Sequence, residues 1–167
     1  LHRLDDQGLT VEVTATNIGT TTVPWGYGAH PYFHFDDLTD VELRIPFDSE
    51  LMVDPERLLP VRLGPVSPAH DFTQPHTIGE TTLDTAFTDP FTRDWAVTLS
   101  GKDHTIEVWG EATTQWVQVF TAPLRDGVAV EPMTCGPDAF NEGPTYRDRI
   151  LLRPGDSTHA LWGVRAG

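Results

Sequence analysis

Short alternating runs of apolar and polar residues, separated by glycine and proline, constrain this chain more than any other feature. Residues 11–16 alternate Val, Val and Ala with Glu, Thr and Thr, which is the period-2 pattern of a strand with one buried face. The 167 residues include 14 glycines and 14 prolines, and no apolar repeat with helical spacing extends over a long segment. The sequence therefore predicts an all-β protein, either a sandwich or a barrel.

The same alternation predicts further strands along the chain. They lie at residues 41–45, 95–99, 105–109, 116–121, 128–131, 150–152 and 159–164. Residues 54–89 are rich in Pro, Thr and Gly and are interpreted as a long excursion with few strands, a kind of loop that often carries function. The only helical feature expected is a turn near residues 137–140. No repeat or internal boundary divides the chain, so a single domain over residues 1–167 is predicted.

The acidic charge balance narrows the choice of partners. The net charge is −14, and Lys102 is the single lysine. A phosphate backbone demands a basic face, so nucleic acid is not an expected partner. No segment approaches the roughly 20 apolar residues of a membrane span, and the start does not resemble a signal peptide. Cys135 is the single cysteine, which rules out an internal disulfide and fits a reducing, cytoplasmic compartment.

His30 stands in a segment, residues 28–33 (Gly-Ala-His-Pro-Tyr-Phe), that is predicted to be extended. Pro31 biases the residue before it away from helical backbone. On a regular strand His34, four residues on, would share a face with His30. The residues alone leave three interpretations of the imidazole: a hydrogen-bonded structural histidine among aromatics, half of a metal site, or a proton donor or acceptor.

Glu131 ends the predicted strand 128–131, whose other residues are apolar. Pro132 follows it and removes one donor from the ladder. A carboxylate at the end of a buried strand needs a partner, because burial of a lone charge is expensive. It is therefore either a structural salt bridge to an arginine such as Arg125 or Arg147, or a general base whose pKa is tuned by its surroundings.

Two further polar side chains are candidates for ligand binding. Asp84, within Leu-Asp-Thr-Ala-Phe, either caps a turn or binds a hydroxyl. Gln118 lies on an otherwise apolar strand and either faces solvent or offers its amide to a polar ligand. The five tryptophans are first of all core material, although one or two could stack on the apolar face of a sugar.

Four segments resemble motifs of the aldose 1-epimerase (galactose mutarotase) family, in the order that the family has them. Residues 28–33 look like its His-x-Tyr-Phe motif, and residues 83–87 (Leu-Asp-Thr-Ala-Phe) look like its Asp-x-x-Phe segment. Residues 117–121 (Val-Gln-Val-Phe-Thr) are similar to its Val-Gln-x-Tyr-Thr strand. Residues 130–134 (Val-Glu-Pro-Met-Thr), with residues 137–141 (Pro-Asp-Ala-Phe-Asn), are similar to the Glu-containing signature of a bacterial branch.

The resemblance implies the large antiparallel β-sandwich of the galactose mutarotase-like group, of the supersandwich type. It also implies an isomerase that interconverts the α and β anomers of a free aldose or a related hexose. His30 would be the general acid at the ring oxygen, and Glu131 would be the general base at the anomeric hydroxyl. Asp84 and Gln118 would hold sugar hydroxyls. The resemblance implies no cofactor and no metal, and the expected partner is a small-molecule sugar.

The resemblance further implies that the sandwich is incomplete. Full-length relatives are longer, and their first half supplies another histidine and often an arginine that bind the sugar. Residues 1–167 would then be the C-terminal portion of the family fold. Exposed sheet edges invite pairing with another chain, so self-association is one expected outcome. An inactive short relative, a non-catalytic carbohydrate-binding sandwich and a glycosidase stay open as alternatives, although no motif supplies a second acid for glycoside hydrolysis near Glu131.

Overall fold

A computed structural model describes all of residues 1–167, and its regular secondary structure is almost entirely β-strand. One short 3₁₀ turn, Tyr146–Asp148, is the only helical element. The strands are β1 (His2–Asp5), β2 (Gly8–Thr16), β3 (Val23–Trp25), β4 (Tyr32–His34), β5 (Glu42–Arg44), β6 (Phe47–Val53), β7 (Pro60–Pro65), β8 (His76–Thr77), β9 (Asp84–Pro90), β10 (Trp95–Ser100), β11 (Thr105–Gly110), β12 (Trp116–Thr121), β13 (Gly127–Met133), β14 (Ile150–Leu152) and β15 (Ser157–Ala166).

Two antiparallel sheets form the sandwich. One sheet has seven strands in the order β1-β2-β15-β11-β10-β5-β8, and the other has six in the order β4-β13-β12-β9-β6-β7. A two-stranded ribbon of β3 and β14 stands beside them. The predicted all-β fold is confirmed, and both sheets are antiparallel throughout.

Side chains that alternate along β12 and β13 give the six-stranded sheet one face that packs in the core and one face turned away from it. Val117, Val119, Val128 and Val130 are fully buried within the main apolar cluster, which includes residues from both sheets. The residues between them on the same strands point the other way, since side chains alternate across a strand. The face of the six-stranded sheet turned away from the core therefore carries Gln118 and Glu131; it is called the outer face below.

Every strand predicted from the alternation is present, and those at 116–121 and 150–152 have the predicted bounds. The prediction of a strand-poor excursion over residues 54–89 is wrong. That stretch contains β7, β8 and nearly all of β9, and β9 pairs on both sides within the six-stranded sheet. Residues 137–140 form a turn, as expected. The structure contains no helix with the length and apolar character needed to cross a bilayer.

Candidate active site

The strand register places His30, Glu131 and Gln118 in one row across the outer face. Glu131 on β13 is paired with Gln118 on β12. On its other side, the backbone bonds Val130 N–H to Pro31 O (3.3 Å) and Ala29 N–H to Pro132 O (3.0 Å) continue the ladder beyond the end of β4. These two bonds bracket His30 opposite Glu131. Residues directly opposite in an antiparallel pair share a face, so the imidazole and the carboxylate meet.

Pro132 is tolerated inside β13 for a geometric reason. Its carbonyl accepts from Ala29 on the β4 side of the strand, and the N and O of one residue in an antiparallel strand point to the same side. The missing N–H of Pro132 therefore faces the irregular segment before β4 and not the ladder with β12. The pairing that holds Glu131 next to Gln118 is left intact.

A cavity of about 440 Å³ opens over this row. All four residues proposed for the site from the sequence line it together, and the remaining lining is largely apolar. The lining residues are His30, Tyr32, Leu51, Val53, Leu58, Asp84, Ala86, Gln118, Phe120, Glu131, Met133 and Pro137. A volume of this size lies in the range of small-molecule sites.

His30 and Glu131 form the central contact of the cavity. His30 Nε2 lies 3.2 Å from Glu131 Oε1, and the side chains are 59% and 14% exposed. The arginine salt bridge considered for Glu131 is wrong. Arg125 instead donates to the carbonyls of Thr81 and Gly79, and Arg147 is exposed. The partner of the carboxylate is therefore the imidazole.

Burial raises the pKa of the Glu131 carboxyl group above its ordinary value of 4.5. The nearby charge of His30 lowers this pKa, and the nearby charge of Asp84 raises it. The net direction is upward, because desolvation penalises the ionised form more than the imidazole favours it. A carboxylate with a raised pKa is a better proton acceptor than a fully hydrated one.

Asp84 and Gln118 hold each other across adjacent strands. Gln118 Nε2 donates to Asp84 Oδ1 at 2.6 Å. Asp84 is the first residue of β9, and its backbone pairs with Phe120, two residues after Gln118 on β12. The carboxylate of Asp84 therefore accepts from the side chain of Gln118, and the alternative in which Asp84 caps a turn is wrong. The bond orients one oxygen of Asp84 and the amide of Gln118 and leaves their remaining hydrogen-bonding capacity available in the cavity.

His34 does not join the site. It lies at the far end of β4, opposite Gly127, and lines a different cavity with Asp36 and Lys102 among others. The structure brings together no group of three or more His, Cys, Asp and Glu side chains that could hold a metal ion. By its register His34 shares the outer face with Tyr32, as the spacing predicts, but His30 and His34 line different cavities.

Nearly the whole chain matches one known protein family. The profile of the family described as Aldose 1-epimerase matches residues 1–162. The chain belongs to the aldose 1-epimerase family. Among curated proteins, the uncharacterized protein YihR of Escherichia coli K12 is 36% identical over 163 residues, which cover 94% of this chain and 51% of that protein. This family member thus spans about half the length of the curated relative that it matches.

Solved structures share the fold of this aldose 1-epimerase family member. A galactose mutarotase-like protein from Clostridium acetobutylicum has a TM-score of 0.82 at 13% identity, with 99% of this chain and 54% of the other covered. A galactose 1-epimerase from Lactobacillus acidophilus has a TM-score of 0.74 at 21% identity, with 99% and 56% covered. At these identities the likeness establishes the mutarotase-like sandwich and nothing finer.

The sequence did not lead to the prediction of two aromatic residues that line the site. Tyr32 and Phe120 line the cavity, whereas none of the five tryptophans does. The signal was present, because Tyr32 lies two residues after His30 and Phe120 two residues after Gln118, so the period-2 rule puts each on the same face. The apolar floor from β6, Leu51 and Val53, could not be found because that strand was not predicted.

Proposed function

We propose that this chain carries the acid/base centre of an aldose 1-epimerase, which interconverts the α and β anomers of a free aldose or a related hexose. The observation that supports the proposal is the 3.2 Å contact between His30 Nε2 and Glu131 Oε1 inside a cavity that Asp84 and Gln118 also line. Membership of the aldose 1-epimerase family supports the same reaction class.

Ring opening needs one proton removed and one delivered. Glu131 takes the proton of the anomeric hydroxyl, and the electron pair of that O–H bond becomes the second bond of the C1 carbonyl. The bond between C1 and the ring oxygen breaks, and its electron pair leaves with the ring oxygen, which takes a proton from the imidazolium of His30. The open aldehyde rotates about the C1–C2 bond, and the reverse transfers close the ring on the other face. No atom is gained or lost.

The environments of the two groups suit these roles. Glu131 is covered and has a raised pKa, so it holds a proton more readily than a carboxylate in water does. His30 is the more exposed partner, and an imidazole can hold or release a proton near neutral pH. Each proton transfer to a positioned group typically contributes about 10²–10⁴-fold to the rate.

Asp84 and Gln118 are proposed to bind sugar hydroxyls. Their mutual hydrogen bond fixes both side chains, and each retains free donor or acceptor capacity. Tyr32 is 54% exposed beside them, and its ring offers a surface to the apolar C–H face of a sugar. Orientation by several hydroxyl contacts would select an aldose over an apolar molecule of similar size.

We further propose that residues 1–167 correspond to the C-terminal portion of the family fold, as one domain. The support is that the chain covers 51% of its curated relative and only about half of the solved structures that it resembles. On this proposal, the other portion of a full-length protein adds contacts to the sugar, while the acid and the base both come from the portion described above. Binding without turnover is the alternative, and the open cavity and its exposed tyrosine favour it.

Anomer exchange measured by polarimetry and NMR tests the proposal. Freshly dissolved α-glucose and α-galactose are followed with the wild-type chain, His30→Ala, Glu131→Gln and the exposed-histidine control His159→Ala. We expect both site variants to lose roughly 10²-fold or more of the enzyme-dependent rate while retaining the wild-type circular dichroism, and the control to keep the full rate. Wild-type rates in either site variant would overturn the assignment. Sugar binding by NMR with no exchange above buffer would favour the binding alternative.

A further inference from the structure

We propose that Tyr32 is a positioning residue, which holds the imidazole of His30 against Glu131 and is itself held by Phe120 across the narrow gap above Ala129. The geometric part of this proposal stands without the reaction. Its consequence for turnover rests on the proposed mutarotase function.

The imidazole of His30 needs a second restraint besides its contact with Glu131. His30 precedes β4 and is 59% exposed, and its contact with Glu131 is its only ion pair. An exposed side chain loses rotamer freedom when it is fixed, and a partly exposed ion pair gives little in return. The pair alone is therefore a weak restraint on the imidazole.

The ring of Tyr32 supplies a second restraint. The ring centroids of His30 and Tyr32 are 5.0 Å apart and the planes differ by 27°, which is a stacked arrangement. The two residues are separated only by Pro31, and the extended backbone at this point puts both side chains on the outer face. A flat ring against one side of the imidazole limits rotation of the imidazole while leaving its Nε2 edge directed at Glu131.

Phe120 in turn restrains Tyr32, from two strands away. Tyr32 on β4 is paired with Ala129 on β13, and Ala129 is paired with Phe120 on β12. Strands two apart are about 9.6 Å from one another, yet the ring centroids of Tyr32 and Phe120 are 6.4 Å apart, edge to face at 88°. The rings thus lean together over β13.

Ala129 makes this contact possible. It lies in the same row as both rings, on the same face, and is 0% exposed. A methyl group leaves room for the two rings to meet above it, whereas a branched side chain would stand between them. The row Tyr32–Ala129–Phe120 is therefore a support built beside the row that contains His30, Glu131 and Gln118.

The titration of the Glu131 carboxyl group by ¹³C NMR reports whether His30 is in place. The charged groups that face Glu131 are His30, from the segment before β4, and Asp84, from β9; its neighbour on β12, Gln118, is uncharged. An imidazolium held nearby lowers the pKa of Glu131, so a displaced imidazole lets that pKa rise. We expect Tyr32→Leu to produce most of the rise that His30→Ala produces, and Tyr32→Phe, which keeps the ring, to titrate as wild type.

Further variants make the test specific. Phe120→Leu should give a smaller rise of the same sign, since Tyr32 then loses its edge contact. Phe91→Leu removes a surface aromatic of similar exposure, 46% against 54%, and should leave Glu131 unchanged. In a His30→Ala background, Tyr32→Leu should add nothing. An unchanged Glu131 titration in folded Tyr32→Leu, or an equal rise with His30 absent, would overturn the proposal.

Turnover gives an independent readout. If the wild-type chain exchanges anomers, Tyr32→Leu should lower kcat roughly 10- to 100-fold, because the acid is misplaced. The change in KM should be smaller, because the sugar loses the ring of Tyr32 but keeps its proposed contacts with Asp84 and Gln118. Tyr32→Phe should restore kcat. If the wild-type chain exchanges no anomers, the proposed function fails, while the Glu131 titration still decides whether Tyr32 positions His30.

Discussion

His30 and Glu131 face each other as partners of unequal exposure, 59% against 14%, at 3.2 Å. The difference in exposure follows from the positions of the two residues in the sheet. Glu131 lies inside β13, which is hydrogen-bonded to β12 on one side and to the segment leading into β4 on the other, whereas His30 precedes the edge strand β4. The carboxylate therefore bears most of the desolvation cost of the site, and the imidazole stays open to solvent.

Glu131→Gln should stabilise the protein at neutral pH. The pKa of Glu131 is raised above 4.5 in the folded state. At pH values between the pKa of the unfolded state and the raised pKa of the folded state, the folded protein therefore binds more protons than the unfolded protein. Stability then falls as pH rises through this window and stays lower above it. Glutamine does not ionise, so thermal melting should give a higher Tm for the variant than for wild type at pH 7. The difference should shrink as pH falls toward 4.5.

Glu142→Gln is the matched control for this stability effect, because Glu142 is exposed. It should change Tm little at any pH, since surface substitutions of this kind usually have small effects. A Glu131→Gln variant that is less stable than wild type at pH 7, and equally so at every pH, would show that burial of the charge is not the controlling cost.

Two substitutions should move the Glu131 pKa in opposite directions. Asp84 raises this pKa and His30 lowers it, so Asp84→Asn should lower the midpoint of the carboxyl titration and His30→Ala should raise it. Asp89→Asn, further along β9, serves as the control, because Asp89 acts on Asp148 and is not among the causes at Glu131. Shifts of the same sign from both substitutions would contradict this electrostatic description.

The fold class could be predicted from the sequence because alternation is a local pattern, and it marks β12 and β13. The four polar residues of the site were brought together by the resemblance to the family motifs. That Gln118 lies opposite Glu131 follows from the register of the two strands, which the sequence alone did not define. The stretch containing β7, β8 and β9 could not be predicted in the same way. Its strands are short or rich in Thr and Pro, and β9 owes its place to pairing with β6 and β12, which lie far away in sequence.

Arg125→Ala should destabilise the fold without affecting the acid/base pair. The guanidinium donates to the carbonyls of Thr81 and Gly79 and so fastens the loop before β9 to the turn before β13. Hydrogen bonds from a charged donor are worth about 1.5–3 kcal/mol, and urea denaturation should show a loss of this order. Arg125→Lys, which keeps the charge but loses the planar fork, should recover only part of it. A changed Glu131 titration in Arg125→Ala would instead support the salt bridge that the structure does not form.

The edge strand β7 should support self-association of the isolated chain. One side of β7 pairs with β6 and the other has no partner strand, and Val61 and Leu63 on it are 59% and 38% exposed. An unpaired edge with apolar side chains favours pairing with a second copy, while the net charge of −14 opposes it. Light scattering after size exclusion should therefore show a dimer whose fraction increases with protein and salt concentration.

Leu63→Lys should suppress the dimer, since lysine on an edge strand blocks pairing. The control Ile18→Lys, which makes the same charge change at a loop residue that is 95% exposed, should suppress the dimer far less. A chain that stays monomeric at high salt and high concentration, or equal suppression by both lysines, would show that β7 does not pair.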